Sequence, residues 1–170
     1  MYLLLALRLV HIVSGALWVG MMAYTVVFLT PALRDAGPDG EKVMSALLRG
    51  GVRTAMPLLA LTTMASGMWL FHRLSGGAPM AFLRTPVGSA FGIGGAAALT
   101  AFMLGLVVLR PAMGRATALG ATLGSVATEE ERAARTAEIR RLRTRAAAAG
   151  RGVALLLILA AGAMAVARYV

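Results

Sequence analysis

The first apolar segment, RLVHIVSGALWVG at residues 8–20, carries polar groups that are costly to bury. His11 and Trp18 are seven residues apart, so in a helix they share nearly one face, about 10 Å apart along the axis. Gly15 leaves a gap in that face where a planar ligand can approach the backbone. Because an ionisable residue inside a membrane helix is by default a functional candidate, this pattern predicts a binding site.

The pattern leaves two interpretations of His11 open. Its imidazole either binds a ligand inside a helix bundle or forms a hydrogen bond between helices, as polar residues of structural membrane proteins also do. Arg8, three residues earlier, favours a ligand with an anionic group, since guanidinium pairs well with carboxylate. If Arg8 has only a structural role, it reaches to the membrane–water interface.

Membrane-spanning helices must position these residues. The 170 residues are 59% hydrophobic and 14% charged, and the mean hydropathy of +0.78 is outside the range of ordinary soluble domains. Crossing a hydrocarbon core takes about 20 helical residues. The sequence therefore predicts an all-α integral membrane bundle of four transmembrane helices in one domain, residues 1–170, with helices at about 2–30, 53–74, 88–110 and 151–168.

Proline, glycine and charge mark the helix ends. Thr30-Pro31 is predicted to stop the first helix, because proline cannot continue the hydrogen-bond ladder. SGGAP at 75–79 is predicted to end the second, and the Arg-Pro pair at 110–111 to end or kink the third. Residues 127–150 are predicted to form a polar helical extension of helix 4, which begins with a capping box of Thr128 and Glu131.

The basic residues predict an orientation. The net charge is +10, and the connections between helices 1 and 2 and between helices 3 and 4 hold thirteen of the seventeen basic residues. By the positive-inside rule these connections and the extension are cytoplasmic, and both termini lie outside the cytoplasm. We expect a multi-pass protein of the inner (cytoplasmic) membrane of a bacterium. The four basic residues of the outer half are Arg8, Arg73, Arg84 and Arg168.

Composition also excludes several classes of function. The chain has no cysteine, so disulfides, iron–sulfur clusters and thiolate zinc sites are excluded. All seven acidic residues fall in the predicted cytoplasmic connections, which argues against an acidic proton relay in the membrane. The four long apolar runs argue against a soluble nucleic-acid binder, so we expect the lipid bilayer and no nucleic acid as a partner.

Three segments resemble one group of membrane proteins. HIVSGALWVGMMAY, residues 11–24, resembles the first helix of the HemJ-type protoporphyrinogen IX oxidases and the related CopD-like four-helix membrane proteins. PLLALTTMASGMWL at 57–70 resembles their second helix, and LLLILAAGAMAV at 155–166 their last. The most specific motif is H-x6-W-x-G at His11, Trp18 and Gly20. The resemblance implies a heme b inside the bundle, with His11 as its axial, iron-binding histidine.

The chain departs from the HemJ type at one position. That type has an intramembrane lysine on its third helix, whereas the only lysine here is Lys42, in the first connection. The resemblance therefore implies heme binding and leaves open whether the chain is an enzyme.

A second axial ligand is predicted from depth in the membrane. In an antiparallel helix 2, Met64 lies at the depth of His11, Met68 about one turn shallower and His72 near the outer surface. Methionine and histidine are both ordinary axial ligands, but methionine also fills irregular cores. Heme propionates are predicted to face the four outer arginines, of which Arg8 and Arg168 are on helices 1 and 4.

The sequence thus predicts a heme b-binding membrane protein with an electron-transfer or redox role near the outer half of the membrane, and with an unidentified electron donor or acceptor. Two other classes stay open: a CopD-like copper-handling protein that uses methionine and histidine, and a noncatalytic helical subunit of a respiratory or photosynthetic complex. Small residues along 88–102 indicate a homodimer face, a groove for heme, or close packing within the chain.

Overall fold

The computed structural model describes residues 2–125 and 128–170, and within these ranges the chain is helical throughout and contains no strand. The predicted number of membrane helices is confirmed, because four helical stretches are long and apolar enough to span a membrane. We call them spans 1 to 4: Tyr2–Asp35, Asp39–Leu74, Pro86–Ser125 and Glu129–Tyr169. The chain has the architecture of a multi-pass membrane protein.

Eight α-helices build this architecture in the described residues. In chain order they are α1 (Tyr2–Tyr24), α2 (Thr30–Asp35), α3 (Pro38–Leu47), α4 (Arg53–Leu74), α5 (Pro79–Leu83), α6 (Pro86–Leu104), α7 (Arg110–Ala121) and α8 (Glu129–Val166). Ala127, the first residue of the predicted extension at 127–150, lies outside the described residues.

The prediction that Thr30-Pro31 stops the first helix is wrong. Span 1 passes through Pro31 and continues to Asp35 after a π-helical turn at Thr25–Leu29. A proline inside a helix lacks an N–H, and its ring crowds the carbonyl group four residues earlier. A wider π-turn before the proline relieves both problems, so the helix continues where the sequence pattern predicted an end.

Span 3 repeats this arrangement. A π-helical turn at Gly105–Leu109 precedes Pro111, and the helix then continues as α7 to Ala121. Span 2 ends at Leu74, where the sequence predicted an end. Gly76 and Gly77 follow it with φ angles of 59° and 83°, a left-handed conformation that favours glycine.

The spans pack as two pairs. Span 1 packs mainly on span 2, and span 3 mainly on span 4. Close contact within the second pair depends on glycine, because a Cβ atom on Gly94 would lie 2.9 Å from Cγ of Met164. Between the pairs lies an apolar core from all four spans, formed by Trp18, Met22, Ala60, Ala101, Val153 and Leu157.

Ion pairs join the connections at one end of the bundle. Arg143 lies 2.7 Å from Glu41, and Arg115 lies 2.7 Å from Glu138. We call this end, with the connections at 35–53 and 110–150, the basic end. The opposite end, which carries both chain termini and the connection at 75–85, is the terminal end.

Span 4 contains the longest helix. The 38 residues of α8 run without interruption from the basic end into the apolar segment. At its start the Thr128 hydroxyl accepts a hydrogen bond from the backbone N–H of Glu131 at 3.2 Å, which confirms the Thr128 half of the predicted capping box. The Glu131 carboxylate accepts a hydrogen bond from Arg135. Beyond the membrane segment, α8 packs along α7 and buries Ile139, Ala146 and Ala149 on that side.

Candidate functional site

Spans 1 and 2 meet along a stripe of small polar side chains. The hydroxyl of Ser14 donates to the carbonyl of Val10 at 2.7 Å, and Ser66 donates to Thr62 at 2.6 Å. The Thr63 hydroxyl lies 2.7 Å from the carbonyl of Leu59 and 2.9 Å from Oγ of Ser14, so its one hydrogen is shared between them. These local bonds satisfy the three buried hydroxyls without a charged group.

His11 of span 1 is anchored to this stripe. Its Nδ1 lies 3.0 Å from the carbonyl oxygen of Thr63 and 3.3 Å from Oγ of Ser66. A carbonyl oxygen can only accept, so Nδ1 carries a hydrogen, and in the neutral ring Nε2 then carries the lone pair. Histidines that bind metals are commonly held in this way, with one ring nitrogen donating to a carbonyl and the other directed to the metal.

A glycine in span 2 makes room for the imidazole ring. A Cβ atom on Gly67 would lie 2.7 Å from Cε1 of His11 and 3.1 Å from its Nδ1. Since real side chains do not approach this closely, the ring fits only because residue 67 has no side chain. The His11 ring therefore lies against the backbone of span 2.

Gly15 of span 1 lies at the same interface. A Cβ atom there would lie 3.4 Å from Cγ2 of Thr63, so part of the gap predicted for a planar ligand is occupied by a methyl group. This is an ordinary van der Waals distance, so the close approach of the two helices depends on Gly67 and not on Gly15.

Burial along the inner face of span 1 decreases toward the terminal end. Ser14, Trp18 and Met22 are buried, whereas His11 and Leu7 are only half-buried. The closely packed core thus ends at Ser14, about one helical turn from His11. The imidazole lies where this packing loosens toward the terminal half.

The other predicted site residues fall into two groups. Trp18, 5% exposed, lies in the apolar core, and half-buried Met64 packs against that core. Met68, at 70% exposure, and His72 lie on an exposed side of span 2. The structure therefore places Trp18 and Met64 inside the bundle and leaves Met68 and His72 outside it.

The predicted arginines lie exposed at the terminal end. Arg8 is exposed on span 1, and the exposed Arg168 guanidinium lies 4.9 Å above the ring of Tyr169. All seven acidic residues belong to the basic-end segments. The terminal-end arginines thus have no Asp or Glu side chain at their end of the chain to pair with.

Sequence reasoning missed the partners of His11. The depth count placed Met64 opposite the histidine, whereas the contacts come from Thr63, Ser66 and Gly67. A signal for them was present, because spacings of three and four residues put these small or polar residues on one helix face.

The geometry is that of an oriented histidine between two membrane helices. Within the described residues, no group of three or more His, Asp or Glu side chains could hold a metal ion. Axial ligation of heme needs only one or two protein side chains, and His11 fits one such position through its fixed Nδ1–H and half-buried ring. No family model, curated protein or solved structure matches the chain.

The network makes a specific prediction for Thr63→Val. Valine keeps the shape of threonine but removes the hydroxyl hydrogen bond to Ser14, so we expect a loss of about 0.6 kcal/mol, typical of hydrogen bonds between membrane helices. His11 should stay in place, because it is held by the backbone carbonyl of residue 63. Thermal unfolding in detergent measures the stability. A loss above about 3 kcal/mol would show that the hydroxyl does more than link Ser14 and Thr63.

Proposed function

We propose that this chain binds heme b through Nε2 of His11 and has an electron-transfer or redox role near the terminal half of the membrane. The observation that supports this most directly is the hydrogen bond from Nδ1 of His11 to the Thr63 carbonyl, 3.0 Å long. This hydrogen bond fixes the orientation of the His11 ring and leaves Nε2 as the only ring nitrogen that can bind a metal.

A purely structural histidine explains this arrangement less completely. One hydrogen bond contributes about 1 kcal/mol and satisfies one of the two ring nitrogens. Among the described residues, Nε2 of His11 has no hydrogen-bond partner. This nitrogen is not enclosed, because no buried side-chain nitrogen or oxygen of the described residues lacks a partner, and a bond to iron would satisfy it.

The chain's own residues would divide the work of holding the group. His11 would hold the iron through Nε2, and the Thr63 carbonyl would keep the hydrogen of the imidazole on Nδ1. Of the three residues predicted as a second ligand, only Met64 is partly buried inside the bundle, so burial favours it over Met68 and His72. Heme b, when bound, supplies a reversible one-electron iron couple.

The exposed arginines support an anionic cofactor at the same end. Arg8 lies three residues before His11, and Arg168 is at the end of span 4. Because no Asp or Glu side chain belongs to that end of the chain, guanidinium groups such as that of Arg8 are available for the two propionates of heme.

An absorption spectrum tests the proposal. The full chain, produced in heme-replete bacteria and purified in mild detergent, should show reduced-minus-oxidised bands of b type. If the bands are absent and the purified protein carries copper, the copper-handling alternative replaces heme binding. If it carries neither heme nor copper, the chain is a helical subunit without a redox group, and His11 is a packing residue.

The proposal includes an orientation in the inner membrane of a bacterium, with the basic end in the cytoplasm. The chain has no cysteine, so a single Glu130→Cys or Val170→Cys change introduces one thiol at an exposed site. A membrane-impermeant maleimide on spheroplasts should label the cysteine at 170, and the one at 130 only after permeabilisation. The reverse pattern would place His11 in the cytoplasmic half of the bilayer.

A further inference from the structure

The side of α8 that faces away from α7 carries a row of arginines. Arg140, Arg141 and Arg145 are exposed there, and with Ala137, Thr144 and Ala148 they line a shallow hollow in the surface. We call Arg140, Arg141 and Arg145 the arginine row. The residues that α8 buries against the rest of the protein, among them Ala146 and Ala149, lie on the opposite side of the helix.

The arginine row differs from the other arginines of the extension in its partners. Arg132, Arg135 and Arg143 form ion pairs with Glu129, Glu131 and Glu41 at 3.7, 2.7 and 2.7 Å. Within residues 2–125 and 128–170, no carboxylate forms an ion pair with any member of the row. Three positive charges therefore lie together without compensation by the chain.

The continuity of α8 places this row next to lipid. Arg151 begins the apolar segment, and Leu155, on the same side of the helix as the row, is 69% exposed. At a rise of about 1.5 Å per residue, Arg145 lies about 9 Å and Arg140 about 16 Å along the axis from Arg151. The headgroup layer is roughly 5–8 Å thick on each side of the hydrocarbon core, so Arg145 lies close to its outer edge and Arg140 about one screening length beyond it.

We propose that the arginine row binds the phosphate groups of anionic phospholipids in the leaflet at the basic end. Guanidinium groups form paired hydrogen bonds with phosphate oxygens, and basic clusters beside a membrane helix attract anionic lipid. The row lies above the lipid that surrounds Leu155 and not above the bundle, so headgroups have access to it. This proposal does not depend on heme.

The test compares two triple variants of the full chain in nonionic detergent. One replaces the row (R140A/R141A/R145A), and the matched control replaces three ion-paired arginines of the same helix (R132A/R135A/R143A). Both lose the same charge, and both gain three alanines. Native mass spectrometry over a titration counts bound phosphatidylglycerol, with phosphatidylcholine as the lipid of zero net charge.

Wild type should bind phosphatidylglycerol in preference to phosphatidylcholine. Each arginine of the row should contribute about fivefold to the affinity for phosphatidylglycerol, so the row variant should bind this lipid roughly a hundredfold more weakly than wild type. The control variant should bind it less than tenfold more weakly. Raising the ionic strength from about 0.1 M to about 1 M shortens the screening length from about 10 to about 3 Å and should weaken the preference.

Two outcomes would overturn the proposal. Equal losses in both triple variants would mean that lipid responds to net charge and not to the row. Displacement of phosphatidylglycerol by inorganic phosphate, at matched ionic strength, would assign the row to a soluble phosphate compound. Circular dichroism of each variant confirms that the helices are intact, which is expected because all six positions lie on the extension outside the apolar segment.

Discussion

His11→Gln should remove the b-type absorption bands and leave a folded protein that inserts into the membrane. Glutamine can still donate a hydrogen bond to the Thr63 carbonyl, which lies 3.0 Å from Nδ1 in the wild type, but an amide is a poor ligand for heme iron. We expect heme content to fall at least tenfold, while the unfolding temperature of the heme-free protein changes little. Pyridine hemochrome assay and thermal unfolding measure the two effects.

Two further variants make this result specific. His11→Ala should also lose heme and should be less stable than His11→Gln, because it gives up the hydrogen bond between spans 1 and 2, at a cost of about 1 kcal/mol. His72→Ala should keep its heme, since His72 lies on the exposed side of span 2. Unchanged heme and spectrum in His11→Gln would leave His11 as a histidine that only links two helices.

Gly67→Ala should have the second largest effect. The new methyl group would lie 2.7 Å from Cε1 of His11, so the imidazole or the helix must move. Overpacking of this kind typically costs about 1–3 kcal/mol. We therefore expect a lower unfolding temperature together with weaker heme binding, measured by titrating heme into the heme-free protein.

Gly162→Ala is the matched control for this variant. Gly162 also lies in a membrane span, but a Cβ atom there would meet nothing within 4 Å. Alanine at position 162 should be neutral or slightly stabilising, because glycine in a helix is less favourable than alanine by about 1 kcal/mol. If Gly67→Ala and the control variant had the same unfolding temperature and heme affinity, the imidazole of His11 would not be in close contact with residue 67.

The number of spans could be read from sequence because it depends on composition over long windows. Hydrophobic runs of about 20 residues have few structural solutions in a bilayer, since every backbone group must find a partner inside the segment. The Thr128 cap and the Glu131–Arg135 ion pair were predictable for a similar reason, because both are local in sequence. Such patterns form within a single helix and do not depend on how helices that are distant in sequence pack against each other.

The prediction at Pro31 failed because local propensity competes with the demands of the span. Pro31 removes one hydrogen bond, but a π-turn at Thr25–Leu29 absorbs the distortion and the helix continues. The partners of His11 were missed because they depend on the rotation of span 2 about its own axis. Depth counting fixes a level in the membrane but not the direction of a side chain, so it selected Met64 where Thr63 and Gly67 make the contact.

The unbroken α8 also has a mechanical consequence. Its 38 residues form a rod about 57 Å long, of which about 33 Å lies between Glu129 and Arg151. A change of 10° in the tilt of its membrane segment would therefore displace the Glu129 end by about 6 Å. Helices change tilt when bilayer thickness changes. Span 3 has a π-turn at Gly105–Leu109, whereas α8 is α-helical from Glu129 to Val166, so a tilt of its membrane segment would move its polar extension as part of the same rod.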